Sequence, residues 1–91
     1  MGLKTVTIEV FGKVQGVYYR QSAQKRALEL GITGMVRNRP EGTVFIHATG
    51  DEEDVMAFVN WCKDGPMLAH VDKVDVIETP LTIFNGFVIE R

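Results

Sequence analysis

Thr5-Val6-Thr7-Ile8-Glu9-Val10, followed by Gly12-Lys13-Val14-Gln15-Gly16-Val17-Tyr18-Tyr19-Arg20, is the stretch that decides how the rest of the chain folds. In its first part Val6, Ile8 and Val10 fall on one face and Thr5, Thr7 and Glu9 on the other, the alternation of a half-buried strand. Beyond the glycines, Tyr19, Ala23, Ala27 and Leu30 recur at helical spacing, with Gln21, Gln24, Lys25 and Glu29 on the wet side. Gly31 ends that helix. The residues from Gly12 to Arg20 are therefore a strand-to-helix connection. Its glycines allow a tight turn and close approach to a ligand, and the helix that follows directs unpaired N–H groups into the loop. Arg20 adds a permanent cation with forked donors suited to phosphate. The combination reads as a backbone cradle for an anion.

Outward from this unit, Gly34 to Asn38 makes a short second strand, and Arg39-Pro40-Glu41-Gly42 places proline and glycine where a type I turn favours them. Thr43 to Thr49 returns as a third strand with Val44, Ile46 and Ala48 on one face and Phe45 and His47 on the other. Gly50-Asp51 opens a second helix whose acidic first turn suits the helix dipole and whose buried stripe is Val55, Phe58, Val59 and Cys62. Gly65-Pro66 stops it, Val71 to Glu78 reads as a fourth strand, and Phe84 to Glu90 as a terminal strand after Pro80. The order predicts a ferredoxin-like α+β sandwich, βαββαβ, with an antiparallel sheet of four to five strands and both helices on one face. The first helix carries the chain back along the sheet, so the first and second strands run parallel. The loop after Phe11 and the turn after Asn38 then share one end. With the third strand between them, the two are separated by roughly 10 Å, a gap that an Arg side chain and a bound phosphate can bridge.

Ninety-one residues with 45% apolar content suit one domain, 1–91, around one core. A net charge of -2 and no basic run argue against general affinity for nucleic acid or acidic membranes, so any anion site is local. The single cysteine excludes an internal disulfide, and no apolar signal-peptide core is present at the start, so a cytoplasmic protein is expected. His47 and His70 have no partners at metal-ligand spacing, and the Asp51 to Asp54 run lacks the alternating oxygens of a calcium loop. No metal and no cofactor is expected. Cys62 reads as a core residue, and Tyr18, Tyr19 and Trp61 as packing anchors.

The chain resembles the acylphosphatase family through Gly12-x-Val14-Gln15-Gly16-Val17-x-x-Arg20 and Gly34-x-Val36-x-Asn38-x-x-x-Gly42-x-Val44, closed by Gly50. The Gly65-Pro66 stop and the terminal Phe87-x-Ile89 extend the resemblance over most of the chain. The resemblance implies hydrolysis of small-molecule acyl phosphates to carboxylate and phosphate by water attack on phosphorus. It implies that the backbone of Gln15, Gly16, Val17, Tyr18, Tyr19 and Arg20, with the Arg20 guanidinium, holds the phosphoryl group, while Asn38 positions the water. Inorganic phosphate or sulfate is expected to fit the same cradle, in a monomer. Tyr19 and Met35 depart from the residues usual in the family, which predicts altered packing beside the site. For Tyr18 the alternative to a packing anchor is a border to the substrate's acyl group. The competing class is a binding module, because RNA-recognition and ligand-sensing domains share this element order. The third strand lacks the basic-aromatic pattern of the former. A phosphate sensor would use the same anion groups, so turnover is what separates it from an enzyme.

Overall fold

A computed structural model describes residues 2–91. The elements run β1 (Leu3–Lys13), α1 (Tyr19–Glu29), β2 (Thr33–Asn38), β3 (Val44–Asp51), α2 (Glu52–Asp64), β4 (His70–Thr79) and β5 (Phe87–Ile89). The strands lie in the order β4-β1-β3-β2-β5. The pairs β1–β3, β1–β4 and β2–β3 are antiparallel, as expected for the ferredoxin-like sandwich. β5 runs parallel to β2, which makes the five-stranded sheet mixed where an antiparallel one was expected.

Alternation in β1 places Val6, Ile8 and Val10 against the helices, each no more than 2% exposed. Opposite them in register stand Ala48, Ile46 and Val44 of β3, all at 0%. Burying each valine or isoleucine contributes about 1.5–3 kcal/mol, so this block of the sheet is a substantial source of stability. α1 covers it with Ala23 and Ala27, whose small side chains let the helix lie close, and with the ring of Tyr19. α2 contributes Val55, Phe58 and Cys62. Phe58 meets Phe87 edge-on with ring centroids 6.0 Å apart, which ties α2 to the far edge of the sheet.

Two boundaries differ from the sequence pattern. β1 continues past Val10 to Lys13, because Gly12 and Lys13 pair with Val71 and His70 after a register shift. The approach there is so close that a Cβ on Gly12, at φ 130°, would lie 2.2 Å from the His70 carbonyl oxygen. The terminal strand begins at Phe87 and not at Phe84, because the chain first crosses the outer face of the sheet from one edge to the other. Thr82 is held there by donating its N–H to Thr5 Oγ1 at 3.0 Å and accepting from Thr49 Oγ1 at 2.7 Å. Phe84 spends its ring on His47, at 4.9 Å between centroids. This crossing explains why Thr5 and Thr49, polar residues on the nominally wet face, are buried and bonded to each other.

The topology also fixes what lies at the other end of the sheet. Val10 pairs with Val44, and Val44 pairs with Asn38. All three stand in one row across the sheet, so Asn38 is on the helix-covered face at the end where β1 gives way to the glycine loop.

Candidate active site

The loop between β1 and α1 is pinned from below and open above. Val14 and Val17 are buried in the core at 1% and 5% exposure, while Gly16 between them takes φ 75°. Tyr18 follows at φ 65°, ψ 23°, and is the one non-glycine residue at positive φ among those described. A left-handed tyrosine costs about 1–2 kcal/mol, strain of the kind that accumulates where backbone is shaped for a ligand. Tyr18 caps α1 without any side-chain hydrogen bond to the first turn, and the helical ladder begins with Ser22 N–H donating to Tyr18 O at 3.1 Å. The N–H groups of Tyr19, Arg20 and Gln21 therefore precede the ladder at the positive end of the helix. No acidic side chain stands in this first turn, in contrast to Glu52, Glu53 and Asp54 in α2.

Above the loop lies a cleft of about 290 Å³ lined by Gly16, Tyr18, Tyr19, Arg20 and Asn38, together with Val14 and Gln21. Five of the sequence-derived site residues thus meet, and the two elements that carry Arg20 and Asn38 meet as the topology required. Among the described residues lining the cleft, Arg20 is the one cation and there is no carboxylate. Its Nη1 donates to the Glu90 carbonyl at 3.4 Å, and Glu90 N–H in turn donates to Val36 O at 2.8 Å. The end of β5 thereby steadies the guanidinium from the β2 side. Asn38 Oδ1 is buried and has no hydrogen-bond partner. An orphaned buried acceptor costs about 1–3 kcal/mol, a cost relieved when a donor such as water enters beside it.

Gln15 and Val17 do not line the cleft. Gln15 directs its side chain elsewhere: Nε2 donates to both Arg39 O at 2.8 Å and Thr43 O at 2.9 Å. These carbonyls flank the β2–β3 turn, so Gln15 ties the loop to the turn that follows Asn38. From the outer face the same turn is gripped by Arg39, which pairs with Glu9 at 3.5 Å and lies 4.2 Å above the Phe45 ring. Thr43 Oγ1 also donates to Glu9 Oε2. Replacing Gln15 by Leu is expected to lower kcat about tenfold while the inhibition constant of inorganic phosphate moves less than about threefold, because the spacing of loop and turn loosens. Gln15→Glu is expected to lose more, since a carboxylate would face two carbonyl oxygens. Steady-state kinetics with phosphate inhibition measures both.

The hydroxyl that Tyr19 brings finds its partner inside the core. Its ring is 1% exposed against Trp61, and its hydroxyl donates to the Cys62 carbonyl at 2.8 Å. The side chain is thus locked to the end of α2, which fixes the start of α1. Burial raises the Tyr19 phenol far above its ordinary value. Burial likewise pushes the Cys62 thiol from 9.0 to about 12, so Cys62 stays protonated and inert as a nucleophile near neutrality. Between these values the unfolded chain releases a proton that the folded chain retains, so stability is complete below about pH 9 and falls as pH rises toward 12. Denaturant midpoints measured from about pH 8 to 11 are expected to fall, and less steeply in Cys62→Ala. A flat profile in the parent protein contradicts the assignment. His47 sits under Phe84 and His70 beside Asp72 at 3.2 Å, both outside the cleft.

Among the described residues no helix is long and apolar enough to cross a membrane. The family model for acylphosphatase matches residues 6–89. The chain is 51% identical over 90 residues to an acylphosphatase of Methylococcus capsulatus, an alignment that covers 98% of each protein. Its backbone is similar to an acylphosphatase structure from Coxiella burnetii, with TM-score 0.94, 34% identity and coverage of 97% of this chain and 93% of that one. The acylphosphatase of Bacillus subtilis superposes with TM-score 0.93 at 34% identity, over 99% of this chain and 100% of that one. Agreement in sequence and in backbone over nearly the full length leads to one assignment: this chain belongs to the acylphosphatase family, hydrolases of acyl phosphates.

Proposed function

We propose that the cleft holds the phosphoryl group of an acyl phosphate between the N–H groups of the Gln15 to Arg20 backbone and the Arg20 guanidinium, and that Asn38 positions the water that attacks phosphorus. The observation that carries this reading is the buried, partnerless Asn38 Oδ1 in the same cleft as Arg20. Phosphoryl transfer depends mainly on positioning and on stabilising charge spread over the phosphoryl oxygens. Backbone donors, the open end of α1 and one guanidinium supply both. Asn38 accepts a hydrogen bond from the water and fixes its direction, although an amide is far too weak a base to deprotonate it. The substrate phosphate takes that proton.

The leaving group explains why so few groups suffice. A carboxylic acid has a pKa of about 4, so the carboxylate departs as an anion without a general acid. The P–O bond to the carboxylate breaks with its electron pair going to the carboxylate oxygen, while the water oxygen bonds to phosphorus. The side chains of Gln15 and Val17 support the backbone donors, Gln15 by tying the loop to the turn and Val17 by anchoring the loop in the core.

One chain supplies every group in the scheme, which supports a monomer organised as one domain, 1–91. A lone cysteine buried at 0% exposure suits the reducing cytoplasm. Inorganic phosphate and sulfate are taken to occupy the same cradle as competitive inhibitors. Metal-free protein incubated with benzoyl phosphate or acetyl phosphate tests the reading. Hydrolysis that disappears in Arg20→Ala is the expected result, and saturable phosphate binding without turnover in the parent protein contradicts it.

A further inference from the structure

Tyr18 stands apart from every other aromatic residue of the site. It lines the cleft, yet its side chain is 68% exposed, while neighbouring Tyr19 is at 1%. Among the described residues its ring pairs with no other aromatic, and its hydroxyl makes no hydrogen bond within the protein. Core packing therefore does not account for it. Its φ of 65° holds the residue in a left-handed conformation that aims the ring out of the fold at the mouth of the cleft.

The geometry of displacement says what meets that ring. Water and leaving oxygen lie on opposite sides of phosphorus, and the water is held by Asn38 on β2. The leaving carboxylate therefore departs away from β2. Every cleft-lining residue other than Asn38 belongs to the segment from Val14 to Gln21. Within it Val14 and Tyr19 turn their side chains into the core, Gly16 has none, and Arg20 is engaged by the phosphoryl group. Tyr18 and the uncharged Gln21 remain to face the acyl chain, with no second cation to hold an additional anion on it.

We infer that the exposed Tyr18 ring is the acyl subsite, selecting acyl phosphates whose acyl group is aromatic or extended and apolar. The inference rests on the phosphate reading above and adds the substrate class to it. Aromatic contacts of this kind favour a stacked benzoyl over an acetyl group by about five- to tenfold.

The test is the ratio of kcat/KM for benzoyl phosphate to that for acetyl phosphate, in the parent protein and in Tyr18→Gly and Tyr18→Phe. Glycine tolerates φ 65° and keeps the N–H group, while phenylalanine keeps the ring. The expected ratio is about five to ten in the parent and in Tyr18→Phe, expressed in KM, and within about twofold of unity in Tyr18→Gly. A parent ratio near unity overturns the subsite, and so does an elevated ratio that survives in Tyr18→Gly. The parent ratio alone decides against the proposal even where a variant fails to fold. Failure of the parent protein to hydrolyse either substrate overturns the underlying phosphate reading, a result distinguishable from loss of preference.

Discussion

Arg20→Ala is expected to lose about 10³-fold or more in kcat/KM for benzoyl phosphate, with the inhibition constant of inorganic phosphate raised in parallel. The magnitude follows from the composition of the cleft. Arg20 is the one cation among its described lining residues, so no neighbour substitutes for it when phosphoryl charge develops. The loss is expected in both binding and turnover, because in the proposed scheme the same guanidinium meets the ground-state phosphate and the transition state. Stability should change little, since the bond to Glu90 O is long, at 3.4 Å, and lies at the surface. Arg20→Lys is expected to recover only part of the loss, because an ammonium restores the charge without the fork that grips two oxygens at once. Kinetics of the three proteins checks the order Arg, Lys, Ala. Near-parent turnover in folded Arg20→Ala removes the cation from the mechanism.

Asn38→Ala should fail differently. The expected loss is about 10²-fold or more in kcat, while the phosphate inhibition constant stays within about threefold of the parent value. In the proposed scheme the amide contacts the attacking water and leaves the phosphoryl group to the loop, so removing it disorders the nucleophile and spares the anion. Folding is expected to survive. Asn38 Oδ1 makes no hydrogen bond within the protein, so its deletion strands no protein donor. Thermal unfolding beside kinetics checks both halves. A large rise in the phosphate inhibition constant with unchanged kcat would place Asn38 in phosphate binding and contradict the water-positioning role.

The positions of these two residues were legible because they depend on parity and topology. Alternation in Thr5 to Val10 fixed which face of β1 is buried, and the parallel relation of β1 and β2 followed from one intervening helix. That reading put Asn38 at the loop's end of the sheet, and the strand register then sets it on the helix face, in the row of Val10 and Val44. The groups that brace the site were not legible, for a physical reason common to them all. Gln15 reaches carbonyls 24 and 28 residues away, and Arg20 reaches one 70 residues away. Gln24, placed on the wet side of α1 by its spacing, donates to Phe87 O at 2.9 Å. None of these contacts leaves a local periodicity, because each is created when β5 joins the sheet edge or the turn folds over the loop. The parallel pairing of β5 was missed for the same reason, since the direction of a three-residue strand depends on the route by which the chain crosses the sheet. One signal was available for Gln15. An amide flanked by valines that both enter the core, in a loop short of polar side chains, has few partners other than neighbouring backbone.

The strain at Tyr18 and the lock on Tyr19 belong together. Tyr19 is anchored to the end of α2 through Trp61 and the Cys62 carbonyl, which sets where α1 begins. Tyr18 must then turn left-handed to join that fixed start to a loop pinned by Val14 and Val17. A rigid core on both sides thus shapes the cradle before any ligand arrives, and preorganised donors stabilise developing charge without the cost of reorganising.

In the proposed mechanism the cleft presents the phosphorus, and not the carbonyl carbon, of an acyl phosphate to a water held by Asn38. Hydrolysis of benzoyl phosphate in ¹⁸O-labelled water tests it in the unaltered protein. Label recovered in inorganic phosphate, with unlabelled benzoate, is the predicted result; label recovered in benzoate would mean attack at carbon and would contradict the account.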